Sequence, residues 1–319
     1  MSQSRRERTI ATGFCLAAML CFSGVPVFLR HLTGYLDSWT VNAVRYGVAA
    51  VFLLPFVLVL SRRSDPAPPR RKRRSIWLAA LVPFVPNVLG QIGWAACPYY
   101  LDAPTIGFVI RTSFLFTALL GFVFIPSERP LVRRPLFLLG TVLCLGGVFL
   151  LYLQRMPAGG FGKPADWIGL GVAIATSLCW GGYAIGVRRA LHGYPLRLAF
   201  GVVSLYTAAA LGALALAVGQ VHQLAGLLAR EWGLLIVSAF LGIAFGHLLY
   251  YRGIHGIGPV VASGTMMAGA FVTYLLAVVF LGETMTLLQL LGGVGVVAGG
   301  LALVKAKAQI ETLPATPTP

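Results

Sequence analysis

The sequence predicts an all-α integral membrane protein whose ten transmembrane helices form two inverted five-helix repeats, and three observations lead there. Hydrophobic residues make up 58% of the 319-residue chain and charged residues only 11%, against roughly 25% charged in a soluble domain. Between Ile10 and Val304 the apolar residues fall into long stretches; a helix rising ~1.5 Å per residue needs ~20 residues to cross ~30 Å of hydrocarbon. The second half of the chain also rereads the first at a nearly constant offset.

Ten candidate spans run near 10–29, 39–60, 76–98, 103–125, 135–153, 166–187, 198–219, 231–251, 258–281 and 286–304, each holding a run of at least ~17 residues without Asp, Glu or Lys. Lipid offers no hydrogen-bond partners, so each span must satisfy its own backbone, and the lengths fit helices rather than barrel strands of about ten residues. The expected organisation is a cytoplasmic N-terminus (1–9), a first repeat (10–153), an external linker (154–165), a second repeat (166–304) and a disordered cytoplasmic tail (305–319).

A net charge of +16 with 25 Lys and Arg would suggest a nucleic-acid partner in a soluble protein, so its placement decides the matter. With the N-terminus in the cytoplasm, 19 of the 25 fall in cytoplasmic segments, four (Arg30, Arg155, Lys163, Arg230) fall outside, and Arg45 and Arg111 lie within spans. This is the positive-inside asymmetry, and an even span count returns the C-terminus to the cytoplasm. The charge therefore reads as topology in a bacterial-type inner (plasma) membrane, with no nucleic-acid partner. The run Arg70 to Arg74 is a candidate for anionic lipid headgroups. Ser4-Arg5-Arg6 faintly resembles a twin-arginine signal, but no Ala-x-Ala follows near residue 30, so residues 10–29 are kept as a permanent helix. Cys15, Cys21, Cys97, Cys144 and Cys179 lack metal or disulfide spacing and read as small buried hydrophobes. Trp39, Trp77, Trp167 and Trp232 open spans, where an amphipathic ring prefers the interface; Trp94 and Trp180 do not.

An offset of 155 places Pro104 on Pro259, Phe116 on Phe271, Glu128 on Glu283 and Gly140 on Gly295. Offsets of 158 to 159 place Gly24 on Gly182, Arg30 on Arg188 and Gly34-Tyr35 on Gly193-Tyr194. Five spans per half is odd, so the halves enter the membrane from opposite sides and are related by a pseudo-twofold axis in its plane. Such a pair can rock in two nearly equal ways, one open to each face, which is the physical requirement for alternating access.

His255-Gly256-Ile257-Gly258-Pro259-Val260-Val261-Ala262-Ser263-Gly264, with Leu281-Gly282-Glu283-Thr284 and Leu288 to Gly292, resembles the second repeat of the EamA-type drug/metabolite transporters. Ala103-Pro104-Thr105, Phe116 to Leu120 and Ser127-Glu128-Arg129-Pro130 resemble the first. Cys179-Trp180-Gly181-Gly182-Tyr183 is similar to the family's small-Trp-small motif and Val44-Arg45-Tyr46 to its second-helix Arg-aromatic pair. The resemblance implies transport, with helices one, three, four, six, eight and nine around a central cavity, and cargo ranging over amino acids, amines, nucleotide sugars and drugs. The chain departs from the family at Ser127-Glu128 for Gly-Glu, and at Phe22-Ser23-Gly24 for the usual Trp-Gly.

The polar residues inside the spans are few. Arg111 lies about eight residues, or ~12 Å, from the external end of span four, where a lone arginine costs roughly 2.5 to 3.5 kcal/mol and must find a partner. No acid lies well within a span to meet it. Two readings stand: it presents a planar fork of donors to a carboxylate-bearing substrate, or it bonds carbonyls freed near Pro104, or Tyr and Thr hydroxyls, and fixes the helix. Arg45, ~9 Å from Trp39, reads as structural, with a stem able to snorkel outward. Asn87, Gln91 and Trp94 share one face of span three as interhelical glue or a pocket edge, and Pro83 and Pro86 are expected to bend that helix. His247, with Tyr250 and Tyr251 a turn on, is either a proton carrier or substrate contact, or a neutral ring bonded between helices. Trp180, Tyr183, Ser263 and Thr265 complete the expected cavity face.

Glu128 and Glu283, at the ends of spans four and nine, read as caps accepting exposed amides of the next helix start, and with Pro104 and Pro259 mark the repeat. The spacing Gly295 to Gly299 permits close helix approach, serving either the packing of span ten on span five or a homodimer seam. No GxSxG, HExxH, phosphate loop or paired intramembrane aspartates occur, so no enzyme is expected, and neither cofactor nor metal. The expected activity is that of a secondary transporter exporting a small metabolite, amino-acid-like solute or drug by alternating access, without ATP. The alternative is a facilitative channel or a membrane scaffold.

Overall fold

The computed structural model describes residues 5–63, 75–153, 164–191, 193–257, 262 and 265–311, and among them there is no strand. The lipid-facing sequence logic produces long helices: α1 (Arg5–Leu32), α2 (Ser38–Arg63), α3 (Ile76–Ala96), α6 (Pro135–Leu153), α7 (Pro164–Ala190), α8 (Leu196–Val218) and α12 (Leu287–Glu311). The fourth span is broken into α4 (Ala103–Val109) and α5 (Ser113–Phe124) by a 3₁₀ turn at Ile110–Thr112, and the eighth into α9 (Ala229–Ala239) and α10 (Gly246–Ile257) by a π-helical segment at Phe240–Phe245. α11 is Gly269–Leu281.

Among the described residues, eight helical stretches are long and apolar enough to cross a membrane, while Pro135–Leu151 and Thr265–Leu281 are shorter apolar helices. These two are the fifth and ninth of the expected spans. The ninth stops at Gly282, whose left-handed φ of 66° ends the helix, a conformation glycine adopts without steric cost. Pro259, Ser263, Arg70 to Arg74, the Glu128 side chain and most of the expected linker and tail lie outside the described residues.

Local caps set where helices begin. Asp102 accepts from the Thr105 amide at 2.7 Å to open α4, with Pro104 in its first turn, the side chain satisfying an otherwise orphan donor. Asp37 does the same for α2, accepting from the amides of Trp39 (2.9 Å) and Thr40 (3.1 Å) and from the Thr40 hydroxyl. It also accepts from the Gln220 amide at 2.9 Å, while its own amide donates to the Gln223 Oε1 at 2.9 Å. One carboxylate thus ties the turn between α1 and α2 to the one between α8 and α9. Partial burial works against its charge, but the Thr40 hydroxyl and the Gln220, Thr40 and Trp39 amides together hold it below the ordinary carboxylate value.

The helix packing repeats as the sequence does. α1 packs on α10 and α3 on α7; α1 packs on α11 and α7 on α5; α3 packs on α8 and α2 on α9. A shift of five spans turns each first pair into the second. α2 with α8, α6 with α12, and α4 with α11 map onto themselves. The α6–α12 contact is a backbone seam. A Cβ on Gly147 would sit 2.5 Å from the Gly292 carbonyl oxygen and one on Gly292 2.7 Å from that of Gly147; Gly140 and Gly299 exclude each other in the same way, at 2.8 and 2.6 Å. The small-residue spacing of span ten is therefore used within the chain, against span five.

Two outcomes follow for stability. Gly147→Val is expected to cost about 1–3 kcal/mol by overpacking, read as a lower melting temperature in detergent, whereas Gly146→Val, with nothing within 4 Å of its Cβ position, should leave melting nearly unchanged. Asp37→Asn should cost about 1 kcal/mol at pH 7, the ordinary worth of such a cap. The folded carboxyl titrates below its unfolded value of about 3.9, so its contribution is full above that pH and is lost as pH falls through the folded value. The melting gap between wild type and variant should therefore close in acid.

Candidate functional site

A cavity of about 410 Å³ lies between the spans, lined by residues of α1, α2, α3, both parts of span four, α7, the π segment, α10 and the ninth span. That volume falls in the range of small-molecule pockets. Both irregular segments meet it: Ile110 and Arg111 stand on the 3₁₀ turn, and Gly242 and Ile243 on the π segment. Departures from α geometry inside a helix often coincide with functional sites. Gly242 is needed for closeness, since a Cβ there would lie 2.8 Å from both Arg45 Nη2 and Val25 Cγ2.

The two intramembrane arginines both reach this cavity. Arg45 does not snorkel: it is 1% exposed, donates from Nε to Ser238 Oγ at 3.0 Å and from Nη2 to the Ser238 carbonyl at 3.3 Å, and leaves Nη1 buried without a partner. Its face of α2 is turned to α9 and not to lipid, so the interior partner wins over the interface. Arg111 has a buried, unpartnered Nε. Its Nη2 lies where a Cβ on Gly269 would come within 2.7 Å, so it spans the gap from span four to the start of α11.

Rings supply the walls. Trp94 and Trp180 pack at 5.2 Å with 47° between planes. His247 stacks on Phe200 at 4.6 Å and 16°, and meets Phe22 edge-on at 5.0 Å. Its Nδ1 is 3.1 Å from the Ile243 carbonyl, a contact in which the ring nitrogen donates. Tyr250 lies edge-on to Phe22 at 6.3 Å, and Tyr183 pairs with Tyr251 through their hydroxyls. Asn87 donates to Thr207 Oγ1 on α8 at 2.8 Å, and the Gln91 carbonyl accepts from Asn42 at 2.8 Å; each acts as interhelical glue and also borders the cavity.

Of the residues expected at the site, Arg111, Asn87, Gln91, Trp94, Trp180, Tyr183, His247 and Tyr250 come together there. Thr265 is not among the lining residues; from the ninth span these are Met266, Met267 and Thr273. Phe22 was not expected to line it. The departure of the Phe22-Ser23-Gly24 segment from the family pattern was the available signal, because it falls on a wall-forming helix.

The end of the bundle away from the chain termini is tied shut. Arg30 Nε donates to Glu283 Oε1 at 2.8 Å and its Nη1 to the Pro98 carbonyl at 2.5 Å. Glu283 Oε2 accepts from the Ala103 amide at 2.8 Å. Glu283 is thus a cap, but of α4 and not of the helix that follows it, whose first turn instead uses Thr286. Tyr99 donates to the Leu36 carbonyl at the same end. Here an extensive apolar core joins Leu29, Leu36, Trp94, Leu101, Leu151, Leu235 and Val296, with a small second group about Val27, Ala103 and Ala277. Toward the other end the core divides into smaller groups: one about Ala80, Leu191 and Val203, one about Leu115, Phe137 and Leu303, one about Ala49, Leu53 and Phe200, and one about Cys15, Ala18 and Met266.

Among the described residues no group of His, Cys, Asp and Glu is arranged to hold a metal ion. The profile of the EamA-like transporter family matches residues 9–153 and again 167–305. A solved crystal structure superposes on 95% of this chain and 99% of its own with a TM-score of 0.62 at 20% identity, a likeness of fold. No curated protein matches the sequence. Matched twice over nearly its whole length, with a mid-bundle cavity between the two matched regions, the chain belongs to the EamA-like transporter family.

Proposed function

We propose that the protein is a secondary transporter of ten membrane spans in two inverted repeats that moves a small amphipathic solute, outward from the cytoplasm, by alternating access. The observation that carries this is the difference between the two ends of the cavity. One end has the most extensive apolar core and the Arg30–Glu283 pair. Toward the other, Thr117, Ala184 and Tyr250 line the cavity, on helices that contribute to different ones of the smaller, separate core groups there. That arrangement suits a state entered from the face on which the chain begins and ends. The excess of basic residues on that face makes it cytoplasmic by the positive-inside rule. A pore would need a continuous polar path, and the extensive apolar core at the Arg30–Glu283 end opposes one.

Arg111, Asn87, Gln91, Trp94, Trp180, Tyr183, His247 and Tyr250 are the residues proposed to hold the solute. Arg70 to Arg74 are proposed to hold anionic headgroups on the cytoplasmic side. In proteoliposomes, preloaded solute should drive saturable counterflow of labelled solute; non-saturable flux, or none, would remove the carrier reading.

Glu283→Gln should loosen the sealed end. The pair is partly exposed, so its loss is worth about 1 kcal/mol, or about fivefold in population. Thr273→Cys in a cysteine-free background should then react about fivefold faster with an impermeant maleimide applied from the Glu283 side, while reaction from the opposite side is unchanged or slower.

A further inference from the structure

We infer that the solute is an organic anion lacking a free ammonium group, its acidic oxygens held jointly by Arg45 and Arg111; this deepens and rests on the reading of the cavity as the transport chamber. Both arginines are among the residues that line the cavity, and no Asp or Glu is. Buried charge without a counterion is expensive, and each donor left without an acceptor adds the desolvation cost of that group. Arg45 bears most of this: it is fully enclosed, and its hydrogen-bond partner among the described residues is the neutral Ser238, whose hydroxyl is itself engaged with the Leu235 carbonyl at 2.8 Å. Arg45 Nη1 and Arg111 Nε are buried without a partner. A carboxylate or similar oxyanion entering between the two side chains supplies acceptor oxygens and the missing charge, by the fork geometry that guanidinium offers.

The repeat argues that these two charges are not demanded by the fold. The offset that relates the halves places Arg111 on Met266 and Arg45 near Val203 and Ser204. The second half builds the same helices with neutral residues at those places, so the cationic pair is an addition to the scaffold. A zwitterion or amine would bring an ammonium group into a chamber that holds two positive charges and no carboxylate. The Trp94–Trp180 pair and Phe22 leave apolar walls for the rest of the molecule.

The test uses purified full-length protein in detergent and four probes with one ring and different end groups: 3-phenylpropionate, 3-phenylpropionamide, phenylalanine and phenethylamine. Calorimetric titration should give 3-phenylpropionate an affinity at least about tenfold above the other three, the worth of one charged hydrogen bond. Arg111→Gln and Arg45→Gln should each lower binding of the carboxylate about tenfold and leave the amide unchanged, with partial recovery in the lysine variants. Should Arg45→Gln fail to fold, the wild-type ranking and the Arg111 variants decide alone. Equal or tighter binding of phenylalanine or phenethylamine, or competition by chloride as effective as by 3-phenylpropionate, would overturn the inference. Selective anion binding without counterflow would overturn the carrier and leave this inference standing; counterflow of solutes regardless of charge would do the reverse.

Discussion

Hydrocarbon supplies no hydrogen bonds, and that single constraint orders everything else in this molecule. It forces the backbone into helices and makes each helix end depend on a side chain or a turn, as at Asp37, Asp102 and Glu283. It also gives meaning to the few polar groups left inside. A serine or threonine in the bundle can return its proton to the carbonyl one turn back, as Ser23, Thr176, Ser177 and Thr207 do. An arginine has five donors and no such local solution, so where it stands reports on what surrounds it.

The architecture is symmetric in its contacts and asymmetric in its state. Helix pairs recur under the five-span shift, yet the most extensive apolar core lies at one end and only smaller groups lie toward the other. Two repeats that pack alike but sit differently at their two ends have the property a rocking carrier needs, because the alternative arrangement exchanges the roles of equivalent contacts at comparable energy. The irregular turns in spans four and eight lie at the depth of the cavity, where backbone departures can be accommodated because they do not face lipid.

Much of this was legible in the sequence, and the reasons differ by feature. Helical class follows from run length and composition alone, and the cavity face from the rarity of polar residues, which is why Arg111, Trp180 and His247 could be placed without coordinates. Distance from a helix end says nothing of which face is turned inward, so the outward reach open to the Arg45 stem is not taken and the side chain is 1% exposed. The Arg30–Glu283 pair spans 253 positions, and only tertiary packing brings it together. Phe22, Met266 and Met267 carry no polar mark that separates a cavity wall from an ordinary core, and the capping of α4 by Glu283 joins halves that local rules treat separately.

The seam between α6 and α12 carries a consequence of its own. Its glycines exclude one another reciprocally, Gly147 against Gly292 and Gly140 against Gly299, so the same patch on each half meets its counterpart. A self-matching patch is what two separate copies of a half would use to pair about a twofold axis. A joint of that kind holds the two halves together through close backbone contact, so it places no demand on the side chains elsewhere, and the halves can differ at positions such as Arg45 and Arg111 without disturbing it.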